Sequence, residues 1–464
     1  MPNYSRRSFL QKSGAVGIGG VASQWALGEG DEPQWLNPGD DNFSTSCVPF
    51  NTEIRTKPGL IARCGTPASV ASAIRYAGEN NLPVAVRSGG HSFVGHSLNA
   101  DGVVLDLSGM NQQMLSSTGE IYTAEPGVKL KNAYDFLLPQ GRLLPAGSCG
   151  GVGLGGLTLG GGYGLFARQY GLTCDHLEGL TVVNGKGEIV DSRDDPELLW
   201  ACRGGGNGNF GVAVSMRFRT QVAPAGLGAV RYTASPSNDV EMQNLMKEWF
   251  TIAAELPDPI FSAFVMNHRQ VSVLLTSPHS PGGPAFSRAS ESFRSLGMRT
   301  KGASHLALAK ALPRYYGRPN PLPFRNFSGG YYRGYHDIGP AAEEIIHEIR
   351  STPGSIFQVN TLGGAITRGP DSAYPHREFP FLGEVQTYWK PGEFGQREAL
   401  LESSERVRLA IAGAGVTRHY RNYPTLKFEN WRSDYYGEGY GRLQQIKARI
   451  DPDNVIRHRQ SVTV

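Results

Sequence analysis

Residues 148–164 read SCGGVGLGGLTLGGGYG, and this stretch restricts the possible folds more than any other part of the chain. Glycine is frequent throughout, with 60 residues in 464, nearly twice its average frequency. It is concentrated at 147–164 and again at 204–211. Because valine, leucine and aromatic residues interleave with the glycines, these runs are not flexible linkers. They predict backbone that must approach another group closely.

Both glycine runs match the dinucleotide fingerprint GxGxxG, at 151–156 and 206–211, and Asp175 lies at about the right distance for the ribose-binding acid of the first. A Rossmann site also needs a hydrophobic strand directly before the glycines and a helix after them. LPAGSC precedes the first match, and glycines 160–162 would interrupt a helix after it. The second match leads into an alternating strand at 212–218. We therefore expect no Rossmann nucleotide site.

A second glycine-flanked motif, RSGGHS at 87–92, follows a predicted buried strand at 82–86. Exposed amides in such a loop can form a nest for a pyrophosphate, and Arg87 would add positive charge. His91 within it is a candidate site residue, although a structural or surface histidine is the alternative. His96 does not make a metal site with it, because no third ligand is evident.

The five cysteines are too few and too widely spaced for a disulfide framework or a zinc site, and at least one is unpaired. Cys149 stands at the start of the first glycine run. The residues next to Cys149 in the sequence are compatible with three roles: an inert buried thiol, a nucleophile, or an anchor for a prosthetic group. No GxSxG elbow accompanies it.

Length, charge and hydropathy limit the class of protein. A chain of 464 residues suits two or three domains. The net charge is +4 with no basic block, which argues against nucleic acid as a partner. The sequence contains no apolar run of about twenty residues after the N-terminal stretch, so we expect no membrane span. SRRSFLQK at 5–12 precedes a weakly apolar stretch, which predicts a twin-arginine export signal within residues 1–30 and a periplasmic or secreted protein; the alternative is a chance arginine pair ahead of a tail.

Hydrophobic periodicity predicts mixed helices and strands. Thr66 and Pro67 begin a helix whose buried stripe is Val70, Ile74 and Ala77. Residues 222–415 combine longer helices with strands, and aromatic residues cluster at 315–335. A further strand, and a helix through 443–450, are expected after residue 416.

Four motifs in the same order resemble those of the berberine-bridge-enzyme-like oxidases, a branch of the vanillyl-alcohol-oxidase flavoproteins. They are RSGGHS, SCGGVGLGGLTLGGGYG, RGGGNGNFGV at 203–212, and the tail NYP…YYGEGYGRL…DPDNV. The resemblance runs from about residue 55 to 464. It implies an α+β fold with a two-part PCMH-type FAD-binding domain at 31–221. A substrate domain with an antiparallel sheet backed by helices follows at 222–415, and 416–464 returns to the FAD domain.

The resemblance also implies the cofactor, FAD, bonded through His91 and through Cys149. An imidazole and a thioether on the flavin raise its reduction potential, and two anchors hold the ring in an open cleft. The cofactor-contacting positions that it implies are Arg87, Ser88, Gly89, Gly90, His91, Ser92, Ser148, Cys149, Val152, Gly153, Gly155, Gly156, Gly162, Tyr163, Gly211 and Val212.

The family's catalytic tyrosine lies in its YxNY motif, here 420–423, which implies Tyr423 as the base for the substrate hydroxyl, with Tyr163 as its partner. A tyrosine serves as a base where a neighbouring charge or the flavin lowers its pKa. For either tyrosine the alternative is a hydrogen-bonded core position.

Glu384, Gln386 and Tyr388 alternate and so face one side of a strand. The family's substrate-side residues lie on the matching strand, which implies Gln386 as a substrate contact. The alternative is the solvent face of a sheet.

The chain departs from the family pattern at two places. Gly150 and Gly151 follow Cys149 where the family usually has Pro-Thr, and Gly439 replaces an asparagine of the tail. Val152 is small, as in members that admit oxygen to the flavin.

The expected activity is oxidation of an alcohol or hemiacetal carbon of an oligosaccharide or another bulky hydroxylated metabolite, with O2 as electron acceptor and hydrogen peroxide as product. Besides the substrate and O2, the twin-arginine machinery is the expected partner, and the protein is expected to be a monomer. A flavin dehydrogenase using another acceptor and a flavin-retaining binding protein are the alternatives.

Overall fold

A computed structural model of the protein describes residues 32–279 and 282–464. The predicted export signal lies outside the described residues. Within the described part, no helix is both long enough and apolar enough to cross a membrane.

The first half of the described chain builds three sheets. Its strands are β1 (Gln34–Leu36), β2 (Leu60–Arg63), β3 (Val84–Arg87), β4 (Val103–Asp106), β5 (Gln113–Leu115), β6 (Ile121–Ala124), β7 (Arg142–Leu143), β8 (Leu177–Val183), β9 (Ile189–Asp191), β10 (Val212–Arg219) and β11 (Gln221–Val222). A four-stranded sheet has the order β1-β2-β4-β3, in which β2, β4 and β3 are parallel. An antiparallel five-stranded sheet has the order β5-β6-β10-β8-β9, and β11 pairs with β7.

Short helices connect these strands. They are α1 (Phe43–Ser46), α2 (Pro67–Glu79), α3 (Leu130–Leu137), α4 (Leu154–Leu159), α5 (Ala167–Tyr170) and α6 (Pro196–Cys202). The side chain of Thr66 caps α2 by accepting from Ser69 N–H. The predicted stripe of Val70, Ile74 and Ala77 is fully buried, and burying a valine or isoleucine side chain contributes about 1.5–3 kcal/mol.

The first GxGxxG match lacks the strand of a Rossmann fold, because the strand before it, β7, ends at Leu143. A helix does follow, but α4 has six residues and ends at the glycines of 160–162. The second match leads into β10.

The second half contains one seven-stranded antiparallel sheet of order β15-β12-β14-β13-β17-β18-β16. Its strands are β12 (Leu227–Ala234), β13 (Phe261–Asn267), β14 (Gln270–Ser277), β15 (Arg299–Leu306), β16 (Phe327–Tyr332), β17 (Ser355–Thr361) and β18 (Phe381–Thr387). The helices are α7 (Asp239–Ala254), α8 (Pro284–Arg294), α9 (Leu308–Ala311), α10 (Tyr335–Ile338), α11 (Ala342–Ser351) and α12 (Phe394–Gly413). Helices α7, α8, α11 and α12 pack against this sheet. The α+β class is confirmed.

The tail adds α13 (Trp431–Tyr436) and α14 (Tyr440–Ile450). The helix through 443–450 is therefore confirmed, but the strand predicted after residue 416 is wrong. This segment touches β16 at separate points, where Tyr331 N–H donates to Arg418 O and Ser328 N–H donates to Tyr423 O. Strand β16 itself pairs with β18, with a register shift between Ser328 and Gly330.

A buried ion pair fastens the tail to the first half. Lys447 Nζ lies 2.6 Å from Asp451 Oδ2, and both side chains are fully buried. Lys447 also donates to Asn209 O in the second glycine run and to Ile456 O. Asp451 accepts from the amides of Val455 and Ile456. Every polar group of the pair therefore has a partner.

The residues after this ion pair continue onto β3. Val84 N–H donates to Val455 O at 2.8 Å, and Arg457 N–H donates to Val84 O at 3.1 Å. Val84 is the first residue of β3, the strand that leads into the His91 loop.

Candidate active site

His91 lies in a cleft where the loop after β3, the first glycine run, the tail and strands β17 and β18 meet. Its Nδ1–H donates to Gly89 O at 2.9 Å, which leaves Nε2 with the free lone pair. The ring stacks on Phe50 with centroids 4.1 Å apart and faces Gly151. Burial lowers the pKa of His91 to about 4. The imidazole is therefore neutral at physiological pH.

The loop and the glycine run touch through their backbones. A Cβ on Gly89 would lie 2.4 Å from Gly153 N, and one on Gly153 would lie 2.1 Å from Ser88 Oγ. Side chains cannot be accommodated at either position, which explains glycine there. Gly90 has a φ of +67°, a conformation that glycine adopts without strain.

The charged and hydroxyl groups of the loop hold neighbouring backbone. Arg87 donates to Ser46 O at 2.6 Å and to Val48 O at 2.9 Å. Ser88 Oγ donates to Pro126 O, and Ser92 Oγ accepts from His96 N–H. Arg87, which the sequence analysis assigns to a pyrophosphate, thus fixes the segment that carries Phe50.

Cys149 opens onto the same cleft. All five cysteines are free, and Cys149 is the exposed one. Protein nevertheless surrounds its sulfur on most sides, and this burial, followed by the nearby charge of Glu384, raises the thiol pKa to about 11. Gly317 lies close to this sulfur, since a Cβ at position 317 would be 3.6 Å from Cys149 Sγ. The thiol is protonated at neutral pH.

The two predicted tyrosines are brought together. Tyr163 and Tyr423 share a hydrogen bond of 2.7 Å between their hydroxyls. Phe93 stacks on Tyr423 at 5.3 Å. Burial, and next the nearby carboxylate of Glu384, raises the pKa of both tyrosines well above the ordinary value. The lowered pKa that a tyrosine base needs is therefore not what this environment produces.

Glu384 is the acidic group of the cleft. It is 6% exposed, and burial raises its pKa to about 8, offset in part by hydrogen bonds from Gln386 and Tyr423. The face of β18 that carries Glu384, Gln386 and Tyr388 therefore lies inside the cleft and is not a solvent face. A carboxylate with a pKa near working pH is suited to general base chemistry.

Amide side chains of β17 and β18 extend this polar face. Asn360 Nδ2 donates to Tyr163 Oη at 3.1 Å, and Gln358 Nε2 donates to Asn360 Oδ1 at 2.8 Å. Gln386 Nε2 donates to Gln358 Oε1, and its own Oε1 accepts from Tyr388 Oη, each at 3.4 Å.

Unpaired polar atoms test whether the surroundings suit FAD. Among the described residues, buried atoms without a hydrogen-bond partner include His96 Nε2, Arg421 Nε and Nη1, and Gln460 Oε1. His96 stacks on His458 at 4.0 Å, and Arg421 packs on Gly206 in the second glycine run. Unpaired buried polar atoms are costly. Acceptor oxygens of a ligand would satisfy the N–H groups of Arg421, whereas Gln460 Oε1 needs a donor, and FAD carries both kinds of group. The residues fit FAD, whereas no cluster of His, Cys, Asp and Glu in the described part suits a metal.

The remaining predicted cofactor positions fall into two groups. Gly155 and Gly162 face Pro126 and Thr173 closely, Gly156 faces open space, and Ser148 and Val152 are half-buried beside Cys149. Gly211 directly precedes β10 and Val212 begins it, where Val212 pairs with Val183 inside the core. Those two positions shape the scaffold rather than the cleft wall.

The departures from the family pattern have local causes. A Cβ on Gly150 would lie 2.9 Å from the Tyr316 ring, and one on Gly151 would lie 3.1 Å from the His91 ring. Glycine at both positions lets the 315–319 loop and His91 pack closely. Gly439 lies beside Trp200.

Sequence reasoning missed Glu384 as a chemical group, together with Gln358 and Asn360. Alternation along β17 could have indicated Gln358 and Asn360, as it did along β18. Nothing in the sequence indicated Phe50, because its contact with His91 arises only from tertiary structure.

Residues 58–193 match the FAD binding domain family, and residues 419–463 match the berberine and berberine like family. The chain is 30% identical over 446 residues to the FAD-linked oxidoreductase YvdP of Bacillus subtilis, covering 91% of this chain and 96% of that protein.

Two solved structures share the fold. Aclacinomycin oxidoreductase has a TM-score of 0.85 at 24% identity, covering 93% of this chain and 99% of that one. Xylooligosaccharide oxidase from Myceliophthora thermophila C1, in complex with xylobiose, has a TM-score of 0.81 at 22% identity, covering 93% and 97%. The matches, with the cleft described above, show that the chain belongs to the berberine-bridge-enzyme-like FAD-linked oxidoreductases.

Proposed function

We propose that the protein oxidises an alcohol or hemiacetal carbon of a bulky hydroxylated substrate and returns the electrons to O2. The observation that carries this proposal is a buried carboxylate, Glu384, which acts electrostatically on the hydrogen-bonded pair Tyr163 and Tyr423 in the cleft that also contains His91 and Cys149. A base beside a flavin-binding cleft is what oxidation of a C–H bond next to a hydroxyl requires.

FAD would be held by the backbone of the His91 loop and the first glycine run, with covalent attachment at His91 and Cys149. His91 would contribute its imidazole and Cys149 its thiol to this attachment, and both would keep the cofactor in place. The neutral imidazole with a free Nε2 supports the first attachment. When bound, FAD supplies the hydride acceptor.

The residues of the cleft remove the hydroxyl proton. The tyrosines hold their protons too tightly to be the final acceptor, whereas Glu384, with a pKa of about 8, is half ionised near that pH. Glu384 is therefore the base of this proposal. Tyr163 and Tyr423 connect it to the substrate, and Gln386 stands beside it as a substrate contact.

The substrate class follows from the walls of the cleft. Phe50, Phe93 and Phe324 are in ring contact beside His91, and Asn360 contacts the tyrosine pair. Aromatic faces together with a polar amide suit a sugar ring or a polyhydroxylated metabolite. The structural likeness to an oligosaccharide oxidase complexed with xylobiose supports an oligosaccharide as the first candidate.

Export by the twin-arginine route belongs to the same proposal. The motif at 5–12 supports it, and a cofactor bonded to the protein is not lost outside the cytoplasm. The exported protein would act as a monomer.

Peroxide release is measured with purified protein across a panel of oligosaccharides, monosaccharides and alcohols. We expect peroxide in proportion to substrate oxidised. If substrate is oxidised only when an artificial acceptor is added, the physiological acceptor is not O2. If the protein retains flavin but oxidises none of the compounds, it is a binding protein. Acid denaturation tests attachment, because yellow colour released into the supernatant contradicts the covalent bonds.

A further inference from the structure

A continuous row of hydrogen-bonded side chains ends at the tyrosine pair. It starts at Asn326, whose Nδ2 donates to Tyr388 Oη at 2.8 Å. From Tyr388 it continues through Gln386, Gln358 and Asn360 to Tyr163, as described above. We call these five residues before Tyr163 the amide row.

The amide row has a fixed direction. An amide nitrogen only donates and an amide oxygen only accepts, so the orientation of one amide determines that of the next. Gln358 receives a hydrogen bond on Oε1 and donates from Nε2. Asn360 therefore presents its oxygen to Gln358 and its nitrogen to Tyr163.

This direction decides where the hydroxyl proton of Tyr163 points. Because the oxygen of Tyr163 accepts from Asn360, its own O–H is free to donate to Tyr423 at 2.7 Å. The carboxylate of Glu384 lies close enough to Tyr423 to act on it electrostatically. Asn360 is 2% exposed and Asn326 is 5% exposed. Water therefore competes little at the Asn360 end of the row, next to Tyr163, whereas Gln358, Gln386 and Tyr388 are half-buried.

We propose that Gln358 and Asn360 are positioning residues that direct proton transfer from the substrate hydroxyl through Tyr163 and Tyr423 to Glu384. This inference rests on the proposed function. The substrate O–H bond breaks and Tyr163 receives that proton while passing its own to Tyr423, which passes its own to Glu384. The substrate C–H bond breaks as hydride leaves for FAD, and a carbonyl forms. One proton and one hydride leave the substrate.

Neutron diffraction of the deuterated holoenzyme at pH 9 tests the direction without any substrate. We expect deuterons on the Asn360 nitrogen that faces Tyr163, and the Tyr163 deuteron on the bond to Tyr423. A Tyr163 deuteron pointing at Asn360 overturns the inference.

Two variants of Gln358, which does not touch either tyrosine in the hydrogen bonds above, test the kinetic consequence. Gln358→Glu replaces a donor by an acceptor, so the Asn360 amide must rotate and Tyr163 must donate to it instead of to Tyr423. Gln358→Met has similar length and removes both hydrogen bonds without forcing this rotation. We expect kcat at its high-pH plateau to fall at least about 10-fold in Gln358→Glu and less than about 3-fold in Gln358→Met, since a positioned base contributes about 10²–10⁴-fold.

The relative size of the two losses in kcat distinguishes a positioning role of the amide row from a purely structural role. If the amide row only stabilised the cleft, Gln358→Met would cost at least as much kcat as Gln358→Glu, and that order overturns the inference. The added negative charge moves the midpoint of the pH profile by raising the pKa of Glu384, but it leaves the plateau in place. A wild-type protein that oxidises no alcohol refutes the proposed function, and the neutron result then still decides the direction of the row.

Discussion

Replacing Glu384 by glutamine removes the buried carboxylate beside the tyrosine pair while keeping the shape of the side chain. The folded protein holds the proton of Glu384 more tightly than the unfolded chain does, because burial raises the pKa from 4.5 to about 8. Such a group stabilises the fold fully below the unfolded pKa, and that contribution is lost as pH rises through the folded pKa.

The magnitude follows from the shift. About 3.5 pKa units at about 1.36 kcal/mol per unit amount to about 5 kcal/mol over the whole range. Between pH 5.5 and pH 9 the loss is about 3 kcal/mol. Glu384→Gln has no proton to lose there. Its unfolding free energy should therefore rise relative to wild type by about 3 kcal/mol between these pH values, while kcat/KM falls by about 10²–10⁴-fold.

Urea unfolding of wild type and variant, each as purified holoprotein at pH 5.5 and 9, measures the difference. Other titrating groups are common to both proteins and cancel. Glu384→Asp is the control, because it keeps a carboxyl group and should keep most of the pH dependence. A difference between variant and wild type that is the same at both pH values, within about 0.5 kcal/mol, would refute the assignment of a raised pKa to Glu384.

His91→Ala should leave the cofactor held only through Cys149, and the double variant His91→Ala/Cys149→Ala should release its flavin on acid denaturation; an unchanged flavin spectrum in Cys149→Ala would contradict the second bond. Tyr423→Phe should retain flavin but lower kcat by about 10²-fold or more, because the link to the base is cut; full activity would remove Tyr423 from the mechanism. Lys447→Met should cost about 3–5 kcal/mol of stability in denaturant unfolding, since it leaves Asp451 buried and unpaired. Adding Asp451→Asn to Lys447→Met should recover part of that loss, and no recovery would mean that the charge is not the cause.

Sequence patterns predicted those helices and strands whose formation depends on residues close together in the chain. The capped helix at Pro67–Glu79 and the alternation of β10 follow from spacing alone. The strand expected after residue 416 was wrong, because the chain there meets β16 only at separate hydrogen bonds and forms no ladder with it in the described residues. Sequence motifs identified His91 and Tyr423 as candidate site residues, and their roles stay predictions.

The electrostatics of the site could not be predicted from the same motifs. A tyrosine base needs a lowered pKa, but the group that meets Tyr423 is the carboxylate of Glu384, which raises it. That contact joins β18 to the tail and depends on how the sheet packs against the FAD-binding half. The role of Arg87 was also decided by tertiary contacts, with the backbone of Ser46 and Val48.

The hydrogen bonds between Val84 and residues 455–457 have a consequence for biosynthesis. More than three hundred residues separate the two partners, so the edge of the parallel sheet stays open while the ribosome makes the whole substrate-binding half. The loop with His91 follows that edge directly. Cofactor loading is therefore expected only after synthesis reaches the tail, and ribosome-stalled chains that lack residues 440–464 should acquire no flavin. Contacts of such long sequence separation also make folding slow, which leaves the apolar edge of the sheet exposed to chaperones for longer than in a protein of local contacts.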